Sequence, residues 1–335
     1  MKKVLICMSA VLLIFSSCNS NDENNSINYK ELALVTSSNT SGKVTYTNLL
    51  AASPMVKSFT IASIDAEGVS YDTNTDAITV ASRTNNKLEM YTGVKSAVSA
   101  GTDNLSLSLS SEIGHFLNAR ETAVYGDKII VTQDQIVANG NTNKLFLYQR
   151  TNAGFSLLKT FTTDFKLWGI HMDGTDLYAV VDLTGDIVQF KNFESNASGA
   201  ITATKRVTIE GLIRTHGITY SAVDNVMVLT DVASAASATD GGLVIIKNFA
   251  SVFASTAAAG KITIDKQIRV YGPNSLLGNP VDVAYDSVSK NIYVAERLNG
   301  GGQVLTYNTP SASGDYAPTS ARAEAGVTSI FVLRK

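Results

Sequence analysis

One strand pattern recurs down the chain, and a chain made of copies of one unit folds only by stacking those copies or arranging them in a ring. Each copy holds an apolar strand, a turn, a second apolar strand, and a third that ends near an aromatic residue. The copies are GVSYDTNTDAITVASRTNNKLEMYTG from Gly68, TAVYGDKIIVTQD with KLFLYQR from Thr122, and GIHMDGTDLYAVVDLTGDIVQFKNF from Gly169. Two more are GITYSAVDNVMVLTD with GLVIIKNF from Gly217, and DVAYDSVSKNIYVAERLNGGGQVLTYN from Asp282. A sixth is divided between the ends: GVTSIFVLRK from Gly326 supplies a first strand with nothing after it, and ELALVTSSNTSGKVTYTN from Glu31 supplies second and third strands with no first.

The starts fall 44 to 65 residues apart, enough for one four-stranded antiparallel blade each. No long helical period appears. Short runs rich in Val, Ile, Leu, Tyr and Thr are instead bounded by Gly, Asn, Asp and Ser. The turns after the first strands (DTNTD, GDK, DGTD, SAVDN, DSVSKN) differ in length but share turn chemistry. A fourth strand is anticipated at NLSLSLSS from Asn104, where Leu and Ser alternate as if one face were buried and the other wetter. FSLLKTFTT, TATKRVTIEG and KITIDKQIRVYG fit the same slot in later copies. NFASVFASTAAAGK is anticipated as a short helix or an extended loop, and DVASAASATDGG as a loop. The expected fold is all-β: a six-bladed β-propeller closed by pairing of the N- and C-terminal strands, which removes exposed strand edges.

With 44% hydrophobic and 17% charged residues, the chain suits a packed body. Length alone suggests about two domains of roughly 150 residues, but the repeats make residues 31–335 one closed unit. The formal net charge is −2 with no Lys/Arg run, so nucleic acid is not an indicated partner. Lys2 and Lys3, the apolar run Val4 to Phe15, and then Ser16, Ser17 and Cys18 read as a leader over residues 1–17. The ending LIFSSC resembles a bacterial lipobox, which implies lipidation (palmitate and diacylglycerol) at Cys18; the bland alternative is a plain cleaved signal peptide. Cys7 lies in the leader, so the mature body has no disulfide or catalytic thiol. Residues 18–30 are polar and unpatterned, a tether. Asn19 is not the aspartate linked to inner-membrane retention, so the resemblance implies an outer-membrane lipoprotein, periplasmic or facing the cell surface.

The run GVSYD…ITVASRTNNKLEMY resembles the NHL, YVTN and lactonase-like group of six-bladed propellers, and at the level of repeats the likeness covers residues 31–335. That fold hosts hydrolases, lyases, oxidoreductases and binding modules, so fold alone does not choose a function.

Residues that begin first strands and end second strands share one face. Glu67, Glu121, Trp168 and His216 begin first strands, with Arg120 and Thr215 beside them. Arg83, Asp134, Asp182, Asp231 and Arg297 end second strands, with Ser37 in the sixth copy. Glu67, Arg83, Glu121, Trp168, His216 and Arg297 are therefore the candidate ligand-binding set, for a protein, a glycan or a small molecule. The alternative is that these charges cap loops and pair between blades. Glu67, Glu121 and His216 are suitable ligands for a divalent cation such as calcium. Lactonase-like propellers place a carboxylate with Asn and Asp around a channel metal, and that resemblance adds Asn279 and Asp282, giving Glu67, Glu121 and Asp282 as the metal candidates. On that alternative the protein is a metal-dependent hydrolase with His216 as proton shuttle.

Trp168, the one tryptophan, either stacks on a sugar ring or packs inside. His171 reads as an interior residue and His115 has no clear partner. DTNTD from Asp72 lacks the glycine and distant Glu of a calcium loop and reads as a turn. G-x-S-x-G, H-E-x-x-H, P-loop and C-x-x-C motifs are absent from the sequence.

Overall fold

The computed structural model describes residues 28–335, so the leader, Cys18 and most of the tether lie outside the described residues. Among the described residues the strands form six sheets, four of four strands and two of five. The inner strands are Ala66–Asp72, Ala119–Tyr125, Leu167–Asp173, Ile218–Ser221, Pro280–Asp286 and Val327–Arg334, in blades one to six. Each packs against the next, and the last packs against the first, so the ring is closed. Closure is as anticipated. Val327–Arg334 pairs antiparallel with Leu32–Ser38, from Leu32 opposite Arg334 to Ser37 opposite Ser329, and Lys43–Asn48 continues the sheet.

The apolar core is distributed as six clusters, one between each adjacent pair of blades. Every blade is sandwiched, so both faces of its central strands must be apolar. This explains why Ala77–Ser82 and Val226–Asp231 are buried along their whole length rather than at alternate residues. Phe161 and Phe193 fill the gap between blades two and three, and Phe249 and Phe253 the gap between three and four. Burying each such ring contributes about 2 kcal/mol. The insert after Lys247 forms the helix Phe249–Ser255 that delivers those two rings, and within DVASAASATDGG only Asp231 and Gly242, where the flanking strands end and begin, are in strands.

The outermost strands occupy the anticipated segments, with two differences. Lys261–Ile262 pairs with Thr208 and Ile209 of the preceding blade, leaving Ile268–Tyr271 as the fourth strand of its own. In Ser106–Ser110 the Leu/Ser alternation does not separate a buried face from a wet one. Leu107 is 46% exposed, because radial sheets diverge at the rim and leave an outer strand nothing to pack against. No helix among the described residues is long and apolar enough to cross a membrane.

Candidate functional site

Call the face where inner strands begin the top and the face where they end the bottom. At the top, the end of each second strand donates its N–H to the residue approaching the inner strand. These bonds run from Asn39 to Gly326, Arg83 to Asp65, Asp134 to Asn118, Asp182 to Lys166, Val232 to Arg214, and Arg297 to Asn279, at 2.7 to 3.2 Å. They fix the register around the ring. One tier holds Glu67, Arg120, Trp168, His216, Val281 and Thr328; the next, one residue deeper, holds Gly68, Glu121, Gly169, Gly217, Asp282 and Ser329.

The sequence alignment puts Glu121 beside Glu67, Trp168 and His216; the structure puts Arg120 there and Glu121 a step down. Likewise Asn39 and Val232 stand where Ser37 and Asp231 were aligned. The inner strands of blades one, two, three and five all begin with a one-residue bulge, so the bulge does not set blade two apart. Blade two instead carries Glu121 where Gly68, Gly169 and Gly217 stand in blades one, three and four, so no glycine marks its register. Glycine recurs in the deeper tier because the blades nearly touch there. A Cβ on Gly169 would lie 2.1 Å from the His216 carbonyl oxygen, and one on Gly217 would lie 2.8 Å from Asp282 Cα.

The upper tier is a plug of paired charges. Arg83 donates to Glu67 at 3.0 Å and Asn39 donates to it at 3.2 Å. Arg120 bonds Asp134 at 3.3 Å and lies 3.9 Å from Glu67. Lys166 sits between Asp134 and Asp182, and Arg214 donates to Asp182 at 2.7 Å. The chain of pairs crosses from blade to blade, which matches the alternative of interblade pairing. Asp231 caps a loop, accepting from the N–H groups of Ile213, Arg214 and Ala233. Arg297 makes no ion pair among the described residues, although its charge reaches Asp65.

Trp168 lies between its two neighbours in the tier. His216 stacks on it at 3.6 Å and 5°, and the Arg120 guanidinium sits 4.1 Å from the ring centroid. A sugar ring therefore finds no free face there, and of the two roles for this tryptophan it is packing that the structure holds. Burial pushes His216 down to about 4 against the pull of Asp182, so the imidazole is neutral at pH 7 and donates its Nε2–H to Asp182 at 3.1 Å. Burial also pushes Asp182 up, but hydrogen bonds from His216 and Arg214 outweigh it and hold that carboxyl well below the usual range. Glu67 is raised by burial in spite of its two arginines.

Below the plug, Glu121 and Asp282 belong to blades two and five, on opposite sides of the axis, and their carboxyls meet across it. Asp282 accepts the N–H groups of Val283 and Ile330, both at 2.8 Å. Glu121 accepts Thr122 N–H at 2.7 Å and the Ser329 hydroxyl at 3.4 Å. Burial raises both carboxyls. Their mutual repulsion adds to this for Glu121. The charge of Glu67 raises both further, but its carboxylate is held by Arg83 and Asn39 and does not join them. Among the described residues no group of three or more His, Cys, Asp or Glu is arranged to hold a metal ion. Asn279 faces away from the pair, anchoring the long loop of blade four through Ala235 O at 2.9 Å.

The pair also floors a cavity of about 520 Å³ that runs down the axis to the bottom face, where Val223 is 85% exposed. His171 lines it, held neutral because burial pushes it down to about 4. This cavity is absent from the sequence expectations, which look only to the top. Its one sequence signal was Asp282 standing where the five other copies carry Gly or Thr. His115 lies apart, 3.3 Å from Glu112, and Asp72 caps its turn by accepting from Asn74 N–H while pairing with Arg150.

No protein-family model matches the chain, and no curated protein matches it by sequence. Solved structures match in fold. A chain of a nidogen/laminin complex superposes with a TM-score of 0.60 at 13% identity, covering 90% of this chain and 98% of that one. A protein of unknown function from Bacteroides caccae superposes with a TM-score of 0.59 at 8% identity, covering 91% and 100%.

Proposed function

We propose that this chain is a lipid-anchored, extracytoplasmic binding module that docks a partner protein on its top face. The observation that carries the proposal is a set of aliphatic side chains held out to solvent around the charged plug. Val137 is 86% exposed, Ile213 65%, Ile64 61% and Leu183 58%. Leu183 is the most telling of them. It has φ +65°, a conformation unfavourable for a branched side chain, and Asp182 Oδ1 holds it there by accepting its N–H at 2.7 Å. The counterpart in blade four, Ala233, shares the left-handed turn (φ +47°) but has only a methyl group, so the same turn in blade three presents a full leucine side chain to water, which contact with a partner explains. The plug beneath is held by ion pairs that cross from blade to blade, so the surface is organised before binding. That one structure of similar fold belongs to a nidogen/laminin complex is in keeping with a protein ligand.

The lipid anchor rests on LIFSSC and the outer-membrane location on Asn19. Cys18→Ala is expected to move the protein from the membrane to the soluble fraction with its melting transition intact; continued pelleting with membranes contradicts the anchor. For docking, a photo-crosslinking side chain is placed at Leu183 or Val137 in the full chain in its cells, and at Val223 on the bottom face as the control. Discrete protein adducts from the two top positions alone support the proposal. No adducts, or the same adducts from Val223, overturn it.

A further inference from the structure

The axial cavity lies on the far side of the carboxyl pair from the docking face and is lined by different residues. Its floor is acidic and has no counter-charge. Neither Glu121 nor Asp282 forms an ion pair among the described residues, no Lys or Arg lines the cavity, and the one histidine in the wall is neutral. Arg120 and Arg83, the nearest cations above, are committed to Glu67 and Asp134. An ionised carboxylate taken out of water with no counter-charge is unfavourable by several kcal/mol, and a cation placed beside it offsets that.

The acceptor capacity of the floor is also only partly used. Two carboxyl groups offer about eight lone-pair sites. The N–H groups of Thr122, Val283 and Ile330 and the Ser329 hydroxyl take four of them. The walls add acceptors of their own, because each inner strand turns its second, unpaired backbone edge toward the axis. Thr219, only 9% exposed, also lines the cavity, and its hydroxyl makes no hydrogen bond among the described residues. Between these polar groups stand Ile170, Ile218, Ala284 and Val332. A group with several N–H donors, a positive charge and a short apolar body complements this arrangement, whereas an anion or a neutral lipid does not. The volume is within the usual range for a small-molecule site, about 300–1,000 Å³.

We propose that the axial cavity is a binding site for a small primary ammonium compound, which enters from the bottom face, sets its ammonium on Glu121 and Asp282, and lays its apolar body along the tube toward Val223. The site is separate from the top-face docking surface, and either can fail without the other.

Titration calorimetry on the detergent-solubilised full chain tests it with hexylammonium chloride, hexanol and calcium chloride as probes. Hexylammonium is expected to bind saturably at one site, with hexanol at least about tenfold weaker. Glu121→Gln with Asp282→Asn together should weaken hexylammonium by a similar factor while the protein keeps a cooperative melting transition. Met172→Trp, which narrows the tube and leaves both carboxyls in place, should also weaken it and keeps the test decisive if the double variant does not fold. Equal affinity for hexanol, unchanged affinity in the folded variants, or no saturable binding would overturn the proposal. So would stoichiometric calcium binding that excludes hexylammonium, which would identify a metal site instead.

Discussion

Replacing Glu121 with Gln should make the protein more stable at neutral pH, and the size of the gain follows from where the carboxyl sits. Burial, reinforced by the facing Asp282, keeps Glu121 protonated in the folded protein well above its ordinary pKa of 4.5, whereas in the unfolded chain it titrates normally. Below about pH 4 both states are protonated and the group contributes nothing. As pH rises above 4.5 the unfolded chain releases the proton and the native state keeps it, so stability falls by about 1.4 kcal/mol per unit. The loss accumulates until the folded carboxyl itself titrates. Glutamine titrates in neither state, and its amide still donates to Asp282. For a body of about 300 residues the unfolding entropy is on the order of 0.6 kcal/mol/K, so the gain in Tm should grow by about 2 °C for each pH unit over which the native state alone holds the proton, and be negligible at pH 4. His171 and His216, both pushed down to about 4, lose stability in the opposite direction as pH falls from 6.5, but they do so in both proteins and cancel in the difference. The assay is a thermal melt of each protein from pH 4 to pH 8. A Tm difference independent of pH, or one that favours the wild type more as pH rises, would refute the account of the pair.

Three further expectations concern the ring itself. Arg120→Met removes the cation shared by Glu67, Asp134 and the Trp168 face, and the stranded carboxylates should lower stability by about 3 kcal/mol in urea unfolding; an unchanged midpoint would mean the plug contributes little. Gly169→Ala drives a methyl group into the His216 carbonyl oxygen and should destabilise by about 2–3 kcal/mol, read as a lower Tm. Deleting residues 326–335 removes the inner strand of blade six and bares the edge at Leu32–Ser38, so the protein should unfold or oligomerise on size-exclusion chromatography; a monomer with the wild-type melt would contradict closure by the two ends.

Much of this architecture was legible in one dimension. A blade is a local unit: its strands are successive, its turns are short, and both its faces need apolar side chains, so each copy carries its own signature. The incomplete copies at the two ends, first strand at Gly326 and second strand at Glu31, already implied that they pair. Residue tiers around the axis were much less legible. Blade two carries Glu121 in the tier that Gly68, Gly169 and Gly217 occupy in three other blades, and without that glycine the copies align one residue out, with Glu121 in the tier that Arg120 holds. The outer strand misled for a related reason. Leu/Ser alternation in Ser106–Ser110 states a preference for a half-buried sheet, but whether Leu107 is covered depends on how far the neighbouring blade has diverged at that radius.

The sequence by itself determined that there are six blades, where each begins, and that the ring is closed from both ends, because these follow from short-range hydrophobic pattern and turn chemistry. Only the tertiary structure decided that Glu121 and Asp282 face each other, that Trp168 is clasped between Arg120 and His216, and that the cavity opens at the bottom. Those contacts join blades far apart in the chain, and they depend on ring symmetry and one-residue offsets that no linear pattern records.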